Sequence, residues 1–492
     1  MQWKRVGSCA AALALMMTIG VQPALAAATP YRLSVPSGYV SSFSDVQEDD
    51  WYYDYVAVLN SRGMIDGYGN GLFGANDPLT SGAALVMVLK AAGSGDLAAT
   101  GDHWASGYAD YAVSQGYLTQ EQIGDLDQPM ARVLVAELAA RALGVEPSSE
   151  RSPFSDVDNG YLTALYELGI ITGSEEDGET VFLPDQPITR AEISVIVWQV
   201  DRVHTYGEQI LFQGAYYDIL EDVPVNTYDP EGFSKDENGY ITYTEDGVYV
   251  TKGVDVSVHQ GTIDWQQVAD AGFDFAMIRV GYRGYGTEGN MRGDTQFLNN
   301  VQGALDAGLD VGIYYFSQAI TVEEARQEAA YVIEQIAPYR ITYPVVFDWE
   351  RQNYAGSRTQ TIPDTGLLCS MANAFCADIE AAGYEAMIYF YQNLAYNNLD
   401  LSQLLDYPFW LAQYTDYPSF YYDFDMWQYT SSGKVPGISG NVDLNLRFFR
   451  DGELPPEDSG DVEDTPPSQD IPSSQDGAPK EENTESGISQ DI

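Results

Sequence analysis

Cysteine and histidine are the scarcest chemistry-bearing residues of this chain, three of each among 492. Of the histidines His103, His204 and His259 only the last falls in the C-terminal half of the chain, so a multi-histidine metal site is not expected there, nor is any cofactor. Cys369 and Cys376 both fall in a predicted helix, where seven rises of about 1.5 Å separate their Cα atoms by about 10 Å, beyond the roughly 7 Å reach of a disulfide. Two buried thiols away from strand ends offer no cysteine nucleophile. Basic residues are few as well, 23 Lys and Arg against 73 Asp and Glu, for a net charge of −50. That leaves no basic footprint for nucleic acid or anionic lipid, and no Gly-rich phosphate loop of the required form appears. Long apolar runs are confined to the start: Lys4 and Arg5 lead into Val6–Val21, followed by Pro23 and Ala24-Leu25-Ala26. This is the pattern of a secretory leader, residues 1–26, whose removal would also remove Cys9. No later segment is long and apolar enough to span a bilayer.

What remains is long enough for two or three folded units. The tail 451–492 is rich in Asp, Glu, Ser, Pro and Gln and nearly devoid of aromatics, a composition that predicts disorder and a solvated spacer. Between positions 40 and 205 a pattern recurs about every 55 residues. One copy runs FSDVQEDDWYYDYVAVLNSRGMIDGYGNGLFGANDPLT from Phe43 to Thr80; another runs FSDVDNGYLTALYELGIITG and then VFLPDQPITRAE, from Phe154 to Glu192. HWASGYADYAVSQGYL (103–118) and DLDQPMARVLVAELAARALG (125–144) form a degenerate middle copy. Each copy predicts a helix, a Gly-rich turn and a second helix opening after Pro.

The array resembles the S-layer homology domain, and the resemblance implies an α-helical triple-repeat module that binds a secondary polymer of the bacterial cell wall. Only the third copy keeps the family's signature, Thr189-Arg190-Ala191-Glu192; Arg132 aligns with Arg190, and Ser81 stands there in the first copy. A planar guanidinium suits anionic groups on such a polymer, and Trp51 and Trp104 could stack on sugar faces. Equally, the arginines could cap helices and the tryptophans fill small cores. Residues 206–251, rich in Gly, Asp and Tyr, read as a linker with one small hairpin.

From residue 252 to 450 short apolar strands alternate with amphipathic helices, the mark of βα repeats. Strands are predicted at 253–257, 275–282, 310–317, 343–350, 385–392, 408–415, 424–431 and 441–448. Eight in roughly 200 residues fit an irregular (β/α)8-type barrel whose late connections are too short for full helices. Barrel chemistry sits at one rim, and the polar groups expected there are carboxylates: Asp255, Asp348, Glu350 and Asp443. Strand alternation puts Asp348 and Glu350 on one face, and neighbouring acids raise each other's proton affinity. An acid held protonated near neutrality is what glycosidic cleavage needs. His259 could touch substrate at the rim or be a plain loop residue.

GVDVSVHQGTIDW, FAMIRVGYRGYG, VGIYYFSQA, PVVFDWE and MWQYTSSGKVPGISGNVDLN, in that order, together resemble glycoside hydrolase family 25, the Chalaropsis-type lysozymes. The resemblance implies that Glu350 is the general acid, that Asp255, Asp348 and Asp443 are its active-site aspartates, and that the substrate is the β-1,4 bond between N-acetylmuramic acid and N-acetylglucosamine in peptidoglycan. It implies a secreted muramidase held at the cell wall. Tyr315, Tyr414 and Trp427 lead the aromatic candidates for sugar stacking, with core packing as the alternative for each. A glycan-binding scaffold without turnover would keep the same barrel. A chitinase-like site would need acids at Val346 and Tyr343, which are absent.

Overall fold

The computed structural model describes residues 33–450, so the expected leader (1–26) and acidic tail (451–492) lie outside the described residues. The chain divides into two compact units at residues 219 and 220. Among the described residues no helix is long and apolar enough to cross a membrane.

The N-terminal unit contains α1 (Tyr53–Ser61), α2 (Ser81–Ala91), α3 (Ser106–Ser114), α4 (Gln120–Ile123), α5 (Arg132–Ala142) and α6 (Gly160–Glu167). These are followed by a β1–β2 hairpin (Ser174–Glu176, Glu179–Val181), α7 (Arg190–Tyr206) and a β3–β4 hairpin (Gln209–Phe212, Ala215–Asp218). The three copies close on each other through bridges between Pro78 and Thr189, Thr80 and Pro129, and Ala131 and Pro187. Each of these short segments carries one buried apolar residue, Leu79, Met130 or Ile188, and each leads straight into α2, α5 or α7. The degenerate middle copy therefore fills the same structural place as its neighbours. In the first and third copies the aspartate of FSDV does the same job: Asp45 accepts from the backbone of Phe73 and Gly74, and Asp156 from Phe182 and Leu183, all at 2.8 Å. Above each clamp lies a phenylalanine pair, Phe43 with Phe73 and Phe154 with Phe182.

The C-terminal unit begins with a β5–β6 hairpin (Phe233–Lys235, Ile241–Tyr243) and β7 (Val248–Val256). Then come α8 (Trp265–Asp270), β8 (Phe275–Arg283), β9 (Met291–Gly293), α9 (Phe297–Asp306), β10 (Asp310–Ser317), α10 (Val322–Ile336) and β11 (Val345–Trp349). After them follow α11 (Thr365–Ala381), β12 (Ala386–Tyr391), α12 (Gln392–Asn398), β13 (Phe409–Ala412), β14 (Met426–Gly433) and β15 (Val442–Arg450). Strands β7, β8 and β10 to β15 close an eight-stranded barrel, sealed by the β10–β8 pairing, and β9 folds back on β8. Each overlaps one of the eight strands expected from sequence. Strands buried on both faces read as continuous apolar runs, which is why they are visible there. The βα alternation stops at the end: β15 follows β14 without a helix and runs antiparallel to both β14 and β7.

Residues 206–251, expected as a linker with one hairpin, carry two hairpins, and each belongs to a packed unit. Tyr216 on β4 lies against Trp198 and beneath the Arg202 guanidinium in the N-terminal unit. In the barrel unit Tyr228 packs on Phe448 with ring centroids 4.3 Å apart and on Phe424 at 5.1 Å, and donates its hydroxyl to the Phe424 carbonyl. Phe233 of β5 meets Trp427 edge-on. These buried aromatics, not the polar residues between them, decide the outcome.

Candidate active site

Three of the eight barrel strands bring carboxyl groups to one rim. Asp255 comes from near the end of β7, and Asp348 and Glu350 from the end of β11. Because β15 runs the other way, its start lies at this same rim, and Asp443 pairs in register with Asp255. The four expected acids are therefore brought together.

Asp255 is the best solvated of them by protein groups. Its Oδ2 accepts from Asn445 Nδ2 at 2.8 Å and from Gln428 Nε2 at 3.0 Å, and its side chain also shares a hydrogen bond with Asp443. Burial pushes its pKa up to about 6, restrained by the hydrogen bonds from Asn445, Gln428 and Asp443. Asp443 is pushed further, to about 9, first by burial and then by the charges of Asp255 and Glu350. One proton shared between the two, residing on Asp443, is the arrangement these opposite environments favour. Burial raises Glu350 to about 7, opposed by a hydrogen bond with Tyr389 and aided by the charge of Asp255. Asp348 is held well above the usual carboxylate range by burial and by Glu350 and Asp255, with Arg279 opposing. Its Oδ1 is buried without a hydrogen-bond partner among the described residues.

The rest of the ring consists of residues that sequence reasoning missed. Gln428 Oε1 accepts from Tyr414 at 2.9 Å and Tyr389 at 3.4 Å, so the amide cannot flip, and its NH2 must face Asp255. Asn445 is fixed likewise by Trp410, whose Nε1 donates to its Oδ1 at 3.0 Å. Arg279 on β8 brings the positive charge, itself paired with Asp294 at 2.8 Å. Gln318, buried behind β11, donates to the Glu350 carbonyl at 2.7 Å and fixes the chain where the acid leaves the strand. The available signal was a polar residue inside a fully apolar strand, as in MWQYT and NVDLNL, since such groups persist only when paired.

Tyr414 reaches the site through Gln428, to which its hydroxyl donates. Tyr315 and Trp427 do not, and both assignments are corrected. Tyr315 is fully buried on the outer face of β10 against Tyr331 of α10; Tyr314, one residue earlier, faces the acids. Trp427 is likewise turned outward, its Nε1 donating to the Gln413 carbonyl and its ring meeting Phe233. Alternation makes the two errors the same one, a strand read one residue out of phase. Trp349 also points outward, donating to the Ala319 carbonyl. His259 is exposed on the short turn after β7. Cys369 and Cys376 are buried free thiols.

In the N-terminal unit Arg190 is 6% exposed. Its Nε and Nη2 donate to the carbonyls of Phe73 and Asp66 at 2.6 Å each, and it stacks on the rings of Tyr68 and Phe73. It joins the third copy to the first instead of presenting itself to a ligand. Arg132 pairs with Glu192, which also closes a capping box with Thr189. The Thr-Arg-Ala-Glu signature is thus a cap, a tie and a cap acceptor. Trp51 and Trp104 are exposed, at 61% and 58%.

Comparison with known proteins follows the same division. Residues 254–438 match the sequence model of the family described as glycosyl hydrolases family 25, and residues 42–84 and 153–193 match that of the S-layer homology domain. The chain is 28% identical over 195 residues to the autolytic lysozyme of Clostridium acetobutylicum, covering 39% of this chain and 55% of that protein. It is 29% identical over 204 residues to lysozyme M1 of Streptomyces globisporus, covering 39% and 66%. Over 85 residues it is 35% identical to the surface-layer 125 kDa protein of Lysinibacillus sphaericus, covering 16% and 7%. The chain spans between about half and two thirds of the two lysozymes it matches. Residues 254–438 are accordingly a glycosyl hydrolase family 25 domain, carried on a chain with S-layer homology repeats.

Proposed function

We propose that the protein is a peptidoglycan muramidase of the bacterial cell surface, hydrolysing the β-1,4 bond between N-acetylmuramic acid and N-acetylglucosamine. One observation carries this: four acids, Asp255 and Asp348 buried and Glu350 and Asp443 half-buried, meet at one barrel rim, where two amides hold the Asp255 carboxylate. Glu350 is the general acid that protonates the leaving oxygen, as its value of about 7 suits an acid working near neutrality. Asp255, with its hydrogen-bonded Oδ2, is the anion that faces the positive charge developing at the anomeric carbon. Asp443 carries the proton that keeps this pair from repelling itself. Asp348, itself held protonated by burial and its neighbours, offers its unpartnered Oδ1 to the sugar, where it can orient an N-acetyl group. Tyr314, Tyr389 and Tyr414 form the walls.

The N-terminal copies hold the enzyme to the wall through a secondary wall polymer, with Trp51 and Trp104 as the sugar-facing rings and Arg190 and Arg132 shaping the clefts. In this organisation residues 1–26 direct secretion, 40–205 tether the chain, 206–219 complete that tether, and 220–450 form the catalytic unit.

The test is Glu350→Gln in the full chain on purified peptidoglycan. The native chain releases muramic-acid reducing ends, read by mass analysis; the variant loses turnover by about 10²–10⁴-fold, the worth of a general acid, and still binds the wall. Comparable turnover in the variant, or glucosamine ends from the native chain, defeats the assignment.

A further inference from the structure

Beside the catalytic rim, a cleft of about 470 Å³ lies between the β5–β6 hairpin and the barrel. Its size is within the range of small-ligand sites. Lys235 and Asn238 face it from the hairpin, and Tyr414, Thr430 and Lys434 from the barrel. The hairpin wall precedes the stretch matched to the hydrolase family, which begins at residue 254. It is held in place by its own contacts: Tyr240 donates to the Lys434 carbonyl at 2.8 Å, and Phe233 packs on Trp427.

Charge sets this cleft apart. The chain has only six lysines in 492 residues, and two of them stand on opposite walls here. Lys434 hydrogen-bonds the neutral amide oxygen of Asn441 at 2.6 Å, and no carboxylate pairs with it among the described residues. Lys235 is paired with Asp416, which also lines the cleft, at 2.6 Å, but both side chains are more than half exposed; such a pair is weak and exchanges partners readily, and Lys434 leaves the lining with a net positive charge. The cleft is also continuous with the chemistry. Tyr414 lines it and donates to Gln428, which in turn holds Asp255, and Leu444 on its floor adjoins Asp443.

We propose that this cleft is a subsite for an acidic peptide, the stem carried by the muramyl sugar, whose carboxylates are taken by Lys235 and Lys434. The proposal rests on the muramidase reading and names a further part of its substrate. The Asp255 carboxylate at the rim and a chain of net charge −50 oppose a substrate that is itself anionic, and two ammonium groups one step away offset that field. A neutral sugar would need the aromatic wall but not the lysines. Asn238 and Thr430 supply the donor and acceptor groups that a peptide backbone requires.

The experiment uses the full chain carrying Glu350→Gln, so that ligands survive, and calorimetry with two probes: a glycan oligomer bearing its acidic stem peptides, and the same oligomer stripped of them. The stem-bearing oligomer binds about tenfold more tightly at low salt. Lys235→Ala with Lys434→Ala removes that preference while affinity for the stripped oligomer stays within about twofold; Lys235→Arg with Lys434→Arg keeps it. A preference that survives the double alanine change, an equal loss on both probes, or no preference before the change each overturns the proposal. Because binding is read without turnover, a native chain that fails to release muramic-acid ends defeats the muramidase reading separately.

Discussion

Replacing Asp443 by Asn should stabilise the barrel, by an amount that grows with pH. Burial and the charges of Asp255 and Glu350 hold the Asp443 carboxyl at about 9, against an ordinary value of 3.8. A group whose folded value is raised stabilises the fold fully below its unfolded value and loses that contribution as pH rises towards its folded one. Between roughly pH 4 and 9 the unfolded chain has released this proton and the folded chain has not, which costs up to about 1.4 kcal/mol for every pH unit. Asparagine presents an N–H to Asp255 where the protonated aspartate presents its O–H, and it has nothing to titrate. From pH 5 to pH 8 the stability gap between Asp443→Asn and the native chain should therefore widen by roughly 2–4 kcal/mol. Urea unfolding read by hydrogen exchange of barrel peptides isolates this unit from the N-terminal one. A gap that is constant across this range would mean that Asp443 is ionised in the fold, and the shared proton would have to be abandoned.

Three further outcomes follow from the same contacts. Since Glu350 must keep its proton, kcat/KM should fall above pH about 7, and Tyr389→Phe, which removes a hydrogen bond that favours the carboxylate, should move that limb to higher pH; a limb that stays or moves down refutes the role of Tyr389. Tyr228→Ala should cost the barrel unit about 3–5 kcal/mol, the usual loss for a buried aromatic, whereas a residue of a mere linker would shift the urea midpoint hardly at all. Arg190→Ala strands two carbonyls and should lower N-terminal stability by about 2–4 kcal/mol, while Trp51→Ala should weaken wall binding in a pull-down without changing the melting curve; the reverse pattern would reassign both.

The acids were legible because their chemistry leaves a trace in spacing. Asp348 and Glu350 are two apart in a strand, so they share a face wherever that strand lies. The eight strands were legible because strands buried on both faces have no polar side to interrupt them. The openings of α2 and α7 were legible through Pro78 and Pro187 before them; the caps themselves are Thr80 and Thr189. The phase of each strand was not legible. A strand apolar on both sides looks the same shifted by one residue, so Tyr315 stood in for Tyr314 and Trp427 for Gln428, and a register break between Tyr314 and Tyr315 against β8 leaves no mark in the sequence. Nor was the partner of the two amides: Gln428 and Asn445 reach Asp255 across 173 and 190 residues.

By itself, then, the order of residues determined the element types, the division into repeats and barrel, and which side chains could act as acids, because local periodicity and ionisable chemistry belong to single segments. Which acid keeps a proton was decided only by tertiary structure, since that depends on burial and on charges from distant strands. The same holds for the ties of Arg190 and the packing of residues 220–251: aromatic rings and guanidinium groups carry no label for core or surface until other parts of the chain cover them.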